Sequence, residues 1–310
     1  NSKSSFYKIE PNSETNNISI KRNFSLGDEW FYIKYYGGVK TTNKILIEIY
    51  NSVIKELFYK KIISKWFFIR FADPEPHIRF RFLVTDRKLL GTLIEMINKF
   101  NSESIQPNLI WKIQTDTYQR EIERYGVKTM ELVETIFNID SNAIMKCLSI
   151  INLNYDDKTK WLITLLNINQ FLEDFSLPRK EKYNLIKKLR NGFATEFNEN
   201  KELKQQLSTK YRFHKTEIWE LLSSKEVVSS KYPDLFKAGE EKSIQLKKCI
   251  ENAKKKNINR ADLMSLLPSL LHMHINRVFI SKQRLHEFVL YDLLNQFYNS
   301  EVNREKYYKN

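Results

Sequence analysis

Residues 66–83, WFFIRFADPEPHIRFRFL, constrain this chain more than any other stretch. They read as two strands joined by a tight connection. Asp73-Pro74-Glu75-Pro76 is the break, because proline fixes φ, removes a donor and drives its predecessor out of the helical region. In the second strand Ile78, Phe80 and Phe82 point one way, and His77, Arg79 and Arg81 point the other. Side chains on one strand face repeat about every 7 Å, so two guanidiniums stand side by side on a stiff element. An unpaired buried charge is costly. This face therefore needs an anion, a carboxylate side chain or water, and a solvated outer face meets that need as well as a binding site does.

The flanking sequence supplies the rest of a sheet. Trp30 to Tyr36 alternates as a strand and stops at Gly37-Gly38. Thr41-Thr42-Asn43 can cap a helix that runs to about residue 60, with Ile45, Leu46, Ile49, Ile54 and Leu57 on its apolar side. Asp86 starts a second helix, with Leu89, Leu90, Leu93, Ile94 and Ile97 at helical spacing. Residues 108–117 return to alternation. The order strand, helix, strand, strand, helix, strand predicts an α+β fold. Residues 28–118 should form a ferredoxin-like βαββαβ sandwich with its third strand beside the first. Both helices should cover the face made by Phe31, Ile33 and Tyr35, by Phe67, Ile69 and Phe71, and by Ile78, Phe80 and Phe82. The opposite face should carry Lys34, Arg70, His77, Arg79, Arg81, Lys112 and Gln114, a cationic wall suited to an anion-binding cleft.

After Tyr118 strand signals stop. Residues 119–310 are expected to form a large helical domain that roofs the cationic wall, with a site at the junction. Helices are expected near 127–138, 141–153, 156–174, 179–197, 200–221, 239–257, 261–279 and 281–299. Asp140-Ser141 is a candidate cap between the first two. Residues 222–238 read as an irregular loop, residues 1–27 as a polar tail or linker, and the end after Ser300 as frayed. The chain begins at Asn1, which fits a processed product or a piece of a longer polypeptide.

Composition narrows the classes further. Cys147 and Cys249 are far apart and no CxxC pair occurs, so neither a zinc site nor a disulfide framework is expected, which fits a reducing cytoplasm. No window reaches the length of an apolar membrane span, and no signal segment is visible. The net charge of +14 favours anionic partners, but the lysines are spread along the chain, as in a charged soluble surface. No Gly-rich phosphate loop, GxSxG or HExxH motif occurs.

Two further constellations carry chemistry. Glu121 and Arg124 share a face if their segment is helical, either as a structural ion pair or as an arginine oriented by a glutamate. His272 and His274 lie two apart in a late helix and so point to different faces. They are poorly spaced to hold one metal, whereas one of them could carry a proton near neutral pH.

WFFIRFADPEPHIRFRF, then YQREIERYG with ELVETIFNIDS, then LLHMHINRVF together resemble the C-terminal domain of lantibiotic dehydratases and of thiopeptide-type bacteriocin biosynthesis proteins. The resemblance covers residues 23–297. It implies a lyase that removes glutamate from glutamylated Ser or Thr of a precursor peptide, leaving dehydroalanine or dehydrobutyrine. No cofactor is expected, and the histidine spacing argues against a metal. The expected partners are the glutamylated precursor peptide and a glutamylation domain or protein, with tRNA met through that partner. By motif, the catalytic residues fall on Arg79, Arg81, Glu121, Arg124 and His272; Lys34, Arg70, His77 and Lys112 of the cationic sheet face are substrate-binding candidates. Val127 follows Gly126 where the family often has a second glycine, a change confined to the turn. Two alternatives use the same scaffold: a stand-alone enzyme that closes a pyridine ring by cycloaddition, and a non-catalytic peptide-binding subunit.

Overall fold

Period-two alternation in the first third of the chain closes into an antiparallel sheet. The computed structural model describes residues 20–105, 109–154 and 157–307. In chain order, the first elements are β1 (Asn23–Phe24), β2 (Trp30–Gly37), α1 (Val39–Ile49), a π-helical turn at Tyr50–Ile54, α2 (Lys55–Tyr59), β3 (Ile63–Ala72) and β4 (Pro76–Val84). Then follow α3 (Leu90–Ser104), β5 (Ile110–Thr115), β6 (Tyr118–Gln119), α4 (Ile122–Tyr125) and α5 (Met130–Asn154).

The main sheet has the order β3-β4-β2-β5, and all three pairings are antiparallel. The third strand of the sequence pattern, β4, therefore lies beside the first, β2, with Tyr36 opposite His77 and Trp30 opposite Leu83. Ile33, Tyr35, Phe80 and Phe82 meet Ile49, Val53, Ile97 and Phe100 of the covering helices. Gly37 sits at an irregularity in the β2–β5 ladder. A Cβ there would stand 2.6 Å from Ile110 Cδ1 and 2.9 Å from the Leu109 carbonyl oxygen, so the close approach needs glycine.

The rest is helical: α6 (Asp157–Asp174), α7 (Arg179–Glu196), α8 (Lys201–Ser223), α9 (Lys225–Lys231), α10 (Pro233–Lys255), α11 (Arg260–Val278) and α12 (Gln283–Tyr307). The chain divides into two compact units, residues 1–145 with 256–258, and residues 146–255 with 259–310. The division falls inside α5, past the expected boundary at residue 118.

Several expectations are corrected. Within the expected tail, Asn23–Phe24 is a strand paired with Tyr118–Gln119, and residues 1–19 lie outside the described residues. Asp140 and Ser141 cap nothing. Both are buried within continuous α5, where the Ser141 hydroxyl meets the Phe68 backbone N–H. Thr41 to Asn43 lie inside α1, which starts at Val39 without a side-chain cap. Asp86 does cap the 3₁₀ turn leading into α3, accepting from Lys88 N at 2.9 Å. The expected loop at 222–238 holds α9 and the start of α10. Ser224 caps α9, and Pro233 opens α10 at a position where its missing N–H costs no helical bond. The C-terminal segment stays helical to Tyr307 rather than fraying after Ser300. Among the described residues no helix is long and apolar enough to cross a membrane.

Candidate active site

The face of each residue on β3 follows from its pairing with β4. Phe67 lies opposite Arg81, Ile69 opposite Arg79 and Phe71 opposite His77. Directly paired residues share a sheet face. Phe67, Ile69 and Phe71 therefore belong to the arginine face, not to the helix-covered face where the alternation put them. Arg70 is displaced in the opposite sense. It lies across from Ile78 on the helix side, is buried, and donates from Nη2 to Asn43 Oδ1 at 2.7 Å. Burial pushes its pKa down to about 9. Arg70 is thus not part of the cationic wall.

Arg81 is the focus of that wall. It is 7% exposed, yet Nε and Nη1 have no hydrogen-bond partner among the described residues. Three rings surround its guanidinium carbon, at 4.5 Å (Tyr32), 4.7 Å (Tyr118) and 5.2 Å (Phe67). Aromatic faces attract a cation, but they do not satisfy its N–H donors. A buried guanidinium with unpartnered donors is costly in the free protein and favours a neighbouring anion.

Arg79 is half-buried beside it. Its guanidinium carbon stands 3.6 Å from the Phe71 ring centroid, and Nε donates to His77 Nε2 at 2.9 Å. Burial lowers the Arg79 pKa, the charge of Arg81 adds to that, and Tyr32, Tyr36 and Glu121 oppose it. The Glu121 carboxylate is thus close enough to be felt at Arg79. His77 is 3% exposed, and its Nδ1 lies 2.8 Å from the Glu75 carbonyl oxygen.

The remaining sheet candidates are less available. Lys34 is ion-paired with Asp116. Burial is the largest influence and opposes charge on Lys34, but its hydrogen bond to Asp116, together with the fields of Asp116, Tyr32 and Tyr36, raises the pKa. Lys112 is exposed, with its ammonium 5.1 Å from the Tyr36 ring. Gln114 lies opposite Lys34, on the arginine face as expected.

Arg124 and Glu121 do share the short α4 turn. Arg124 Nη1 is 3.3 Å from Glu121 Oε2, and the guanidinium carbon is 5.3 Å from the Tyr125 ring. This turn is anchored by a pair that sequence spacing did not reveal. Arg120 donates from Nε and Nη2 to the two Glu134 oxygens at 2.7 Å each, and the Tyr118 hydroxyl donates to Glu134 Oε1 at 2.9 Å. The same Tyr118 ring faces Arg81, so one buried network on α5 fixes both the α4 turn and a wall of the arginine pocket.

In the helical unit, His272 of α11 meets Glu287 of α12. Nδ1 lies 2.9 Å from Glu287 Oε2, and the Glu287 side chain is 1% exposed. Tyr291 Oη donates to the other carboxylate oxygen at 3.0 Å, and Arg284 Nη1 is 3.5 Å from Oε2. A carboxylate accepts, so Nδ1 donates to Glu287. His272 remains partly exposed while His274 is buried. The described residues contain no group of three or more His, Cys, Asp or Glu that could hold a metal ion.

Comparison with known proteins gives consistent matches. The family model "Lantibiotic biosynthesis dehydratase C-term" matches residues 30–298. The subtilin biosynthesis protein SpaB of Bacillus subtilis is 26% identical over 281 residues, covering 85% of this chain and 25% of SpaB. The chain spans about a quarter of the length of the curated relatives it matches. Among solved structures, the tRNA-dependent lantibiotic dehydratase MibB from Microbispora sp. 107891 aligns with a TM-score of 0.67 at 19% identity, covering 93% of this chain and 29% of MibB. TbtD, the pyridine synthase from thiomuracin biosynthesis, aligns with a TM-score of 0.56 at 13% identity, covering 89% of this chain and 99% of TbtD. At these identities the two structures show a shared fold and nothing finer.

Proposed function

Because this chain belongs to the lantibiotic biosynthesis dehydratase C-terminal family, we propose that it is a lyase acting on glutamylated Ser and Thr of a ribosomal precursor peptide. A base takes the α-proton, its electrons form the Cα–Cβ double bond, and the Cβ–O bond breaks to release glutamate. The products are dehydroalanine and dehydrobutyrine. Negative charge develops on the backbone carbonyl and on the departing carboxylate, and fixed guanidiniums stabilise both.

The observation that carries this reading is Arg81, a buried cation with two unused donor atoms in a ring-lined setting. Arg81 and Arg124 hold the glutamyl group, Arg79 assists, and Glu121 orients Arg124. His272 moves the proton, with Glu287 fixing its tautomer. Lys112 and Lys34 lend positive charge along the same sheet face to the peptide. Strand order and wholly antiparallel pairing support reading the sheet unit as a ferredoxin-like sandwich. The likeness to a tRNA-dependent dehydratase supports a glutamylation domain or protein as partner, with tRNA engaged there. The reaction then belongs in the cytoplasm.

One competing reading on the same fold is cycloaddition of two dehydroalanines to a pyridine ring. Mass spectrometry after incubation with a glutamylated precursor separates the two. Our reading requires loss of glutamate from the peptide; ring closure of a dehydrated peptide without such loss would replace it.

A further inference from the structure

We propose that His77 is the positioning residue for Arg79: a neutral imidazole that takes the Arg79 Nε–H and aims the outer guanidinium edge along the arginine face. The inference rests on the reading of that face as the elimination site, and it moves His77 from substrate contact to support.

The hydrogen-bond chain decides the tautomer. The Glu75 carbonyl oxygen, 2.8 Å from Nδ1, can only accept, so Nδ1 carries the hydrogen. Nε2 is then a lone pair, and Arg79 Nε donates into it at 2.9 Å. The ring cannot rotate away. It stacks on Tyr36 at 4.5 Å and touches the Phe71 ring at 5.5 Å. Arg79 lies two residues on, on the same strand face, with its guanidinium carbon 3.6 Å from the Phe71 ring centroid. With Nε engaged, a carboxylate meets Arg79 through the Nη1–Nη2 edge.

Burial, helped by charged neighbours, favours the neutral ring. Burial is the largest influence and lowers the His77 pKa; Arg79 on the same strand and Lys34 on β2 add to it, while the Glu75 carbonyl and Asp73 of the β3–β4 connection oppose it. Lys112 on β5 stands beyond the stacked Tyr36 ring. A proton on Nε2 would abolish the Arg79 contact.

Two measurements test this, and the first needs no turnover. In the full chain labelled with ¹⁵N-histidine, the His77 ring signals are assigned by their loss in His77→Gln. At neutral pH they should report the Nδ1–H tautomer with Nε2 unprotonated. In the second, His77→Phe keeps a stacking ring but lacks the acceptor. Its kcat/KM for glutamate elimination should fall about tenfold, and His77→Gln, whose amide oxygen reaches the Nε2 position, should recover most of the loss. An Nε2–H tautomer, an imidazolium at neutral pH, or a His77→Phe variant with wild-type kcat/KM would overturn the proposal. Full elimination by Arg81→Met would instead defeat the functional reading, and the ring tautomer still judges His77 separately.

Discussion

Phe67 stands directly across the β3–β4 ladder from Arg81, its ring centroid 5.2 Å from the guanidinium carbon. This pairing puts Arg70 on the far side of the sheet, beneath α1. Arg70→Met should therefore leave kcat/KM for elimination within about twofold of wild type. Kinetics on the glutamylated peptide check this; a loss comparable with that of Arg81→Met would mean that the β3 register is wrong.

The β4 strand is legible in the sequence because its apolar and basic residues alternate without a break from His77 to Phe82. The β3 strand is not, because Trp66 to Ile69 are all large and apolar, so either parity fits. What decides is tertiary. Trp66 and Phe68 pair with Phe82 and Phe80 on the helix side, and Asn43 gives the displaced Arg70 a partner. Arg79 and Arg81 are visible as charges on one strand face, but the Arg81 ring cage is not, because Tyr32, Phe67 and Tyr118 come from three other strands. Glu287 leaves no local signal either. It lies 15 residues from His272, on the next helix.

The His272–Glu287 contact predicts unequal losses. His272→Ala removes the proposed proton carrier and should lower the elimination rate by about 10²-fold or more. Glu287→Gln retains the hydrogen-bonding shape but loosens the tautomer, and should cost about tenfold. Single-turnover kinetics separate these effects from peptide binding. Equal, negligible losses would remove the pair from the reaction.

The Arg120–Glu134 pair is buried, bidentate and shared with Tyr118. Removing one partner strands a charge. Glu134→Leu or Arg120→Met should each cost about 3–5 kcal/mol of stability, and the double variant should cost less than the sum. Denaturant titration of the four proteins measures the coupling. Additive losses would contradict a desolvated pair.

His77 also makes stability depend on pH. Its folded pKa lies below the unfolded value of about 6.5, so the unfolded chain binds more protons in that window. Stability should be fully present above the unfolded value and decline as pH falls from there through the folded pKa. His77→Gln should show a shallower acid-side loss than wild type in denaturation at stepped pH. Parallel profiles would place the titration elsewhere.

Arg81→Met gives the most direct test of the central claim, with elimination and thermal unfolding measured on the same preparation. A buried, unpaired charge held for a ligand weakens the free protein, so its replacement by an apolar side chain of similar length should leave Tm unchanged or raise it. The same change should reduce glutamate loss by about 10²-fold or more, with glutamylated peptide accumulating in the mass spectrum. Retained elimination at the wild-type rate would contradict the account, as would a loss of activity explained by a collapse of Tm.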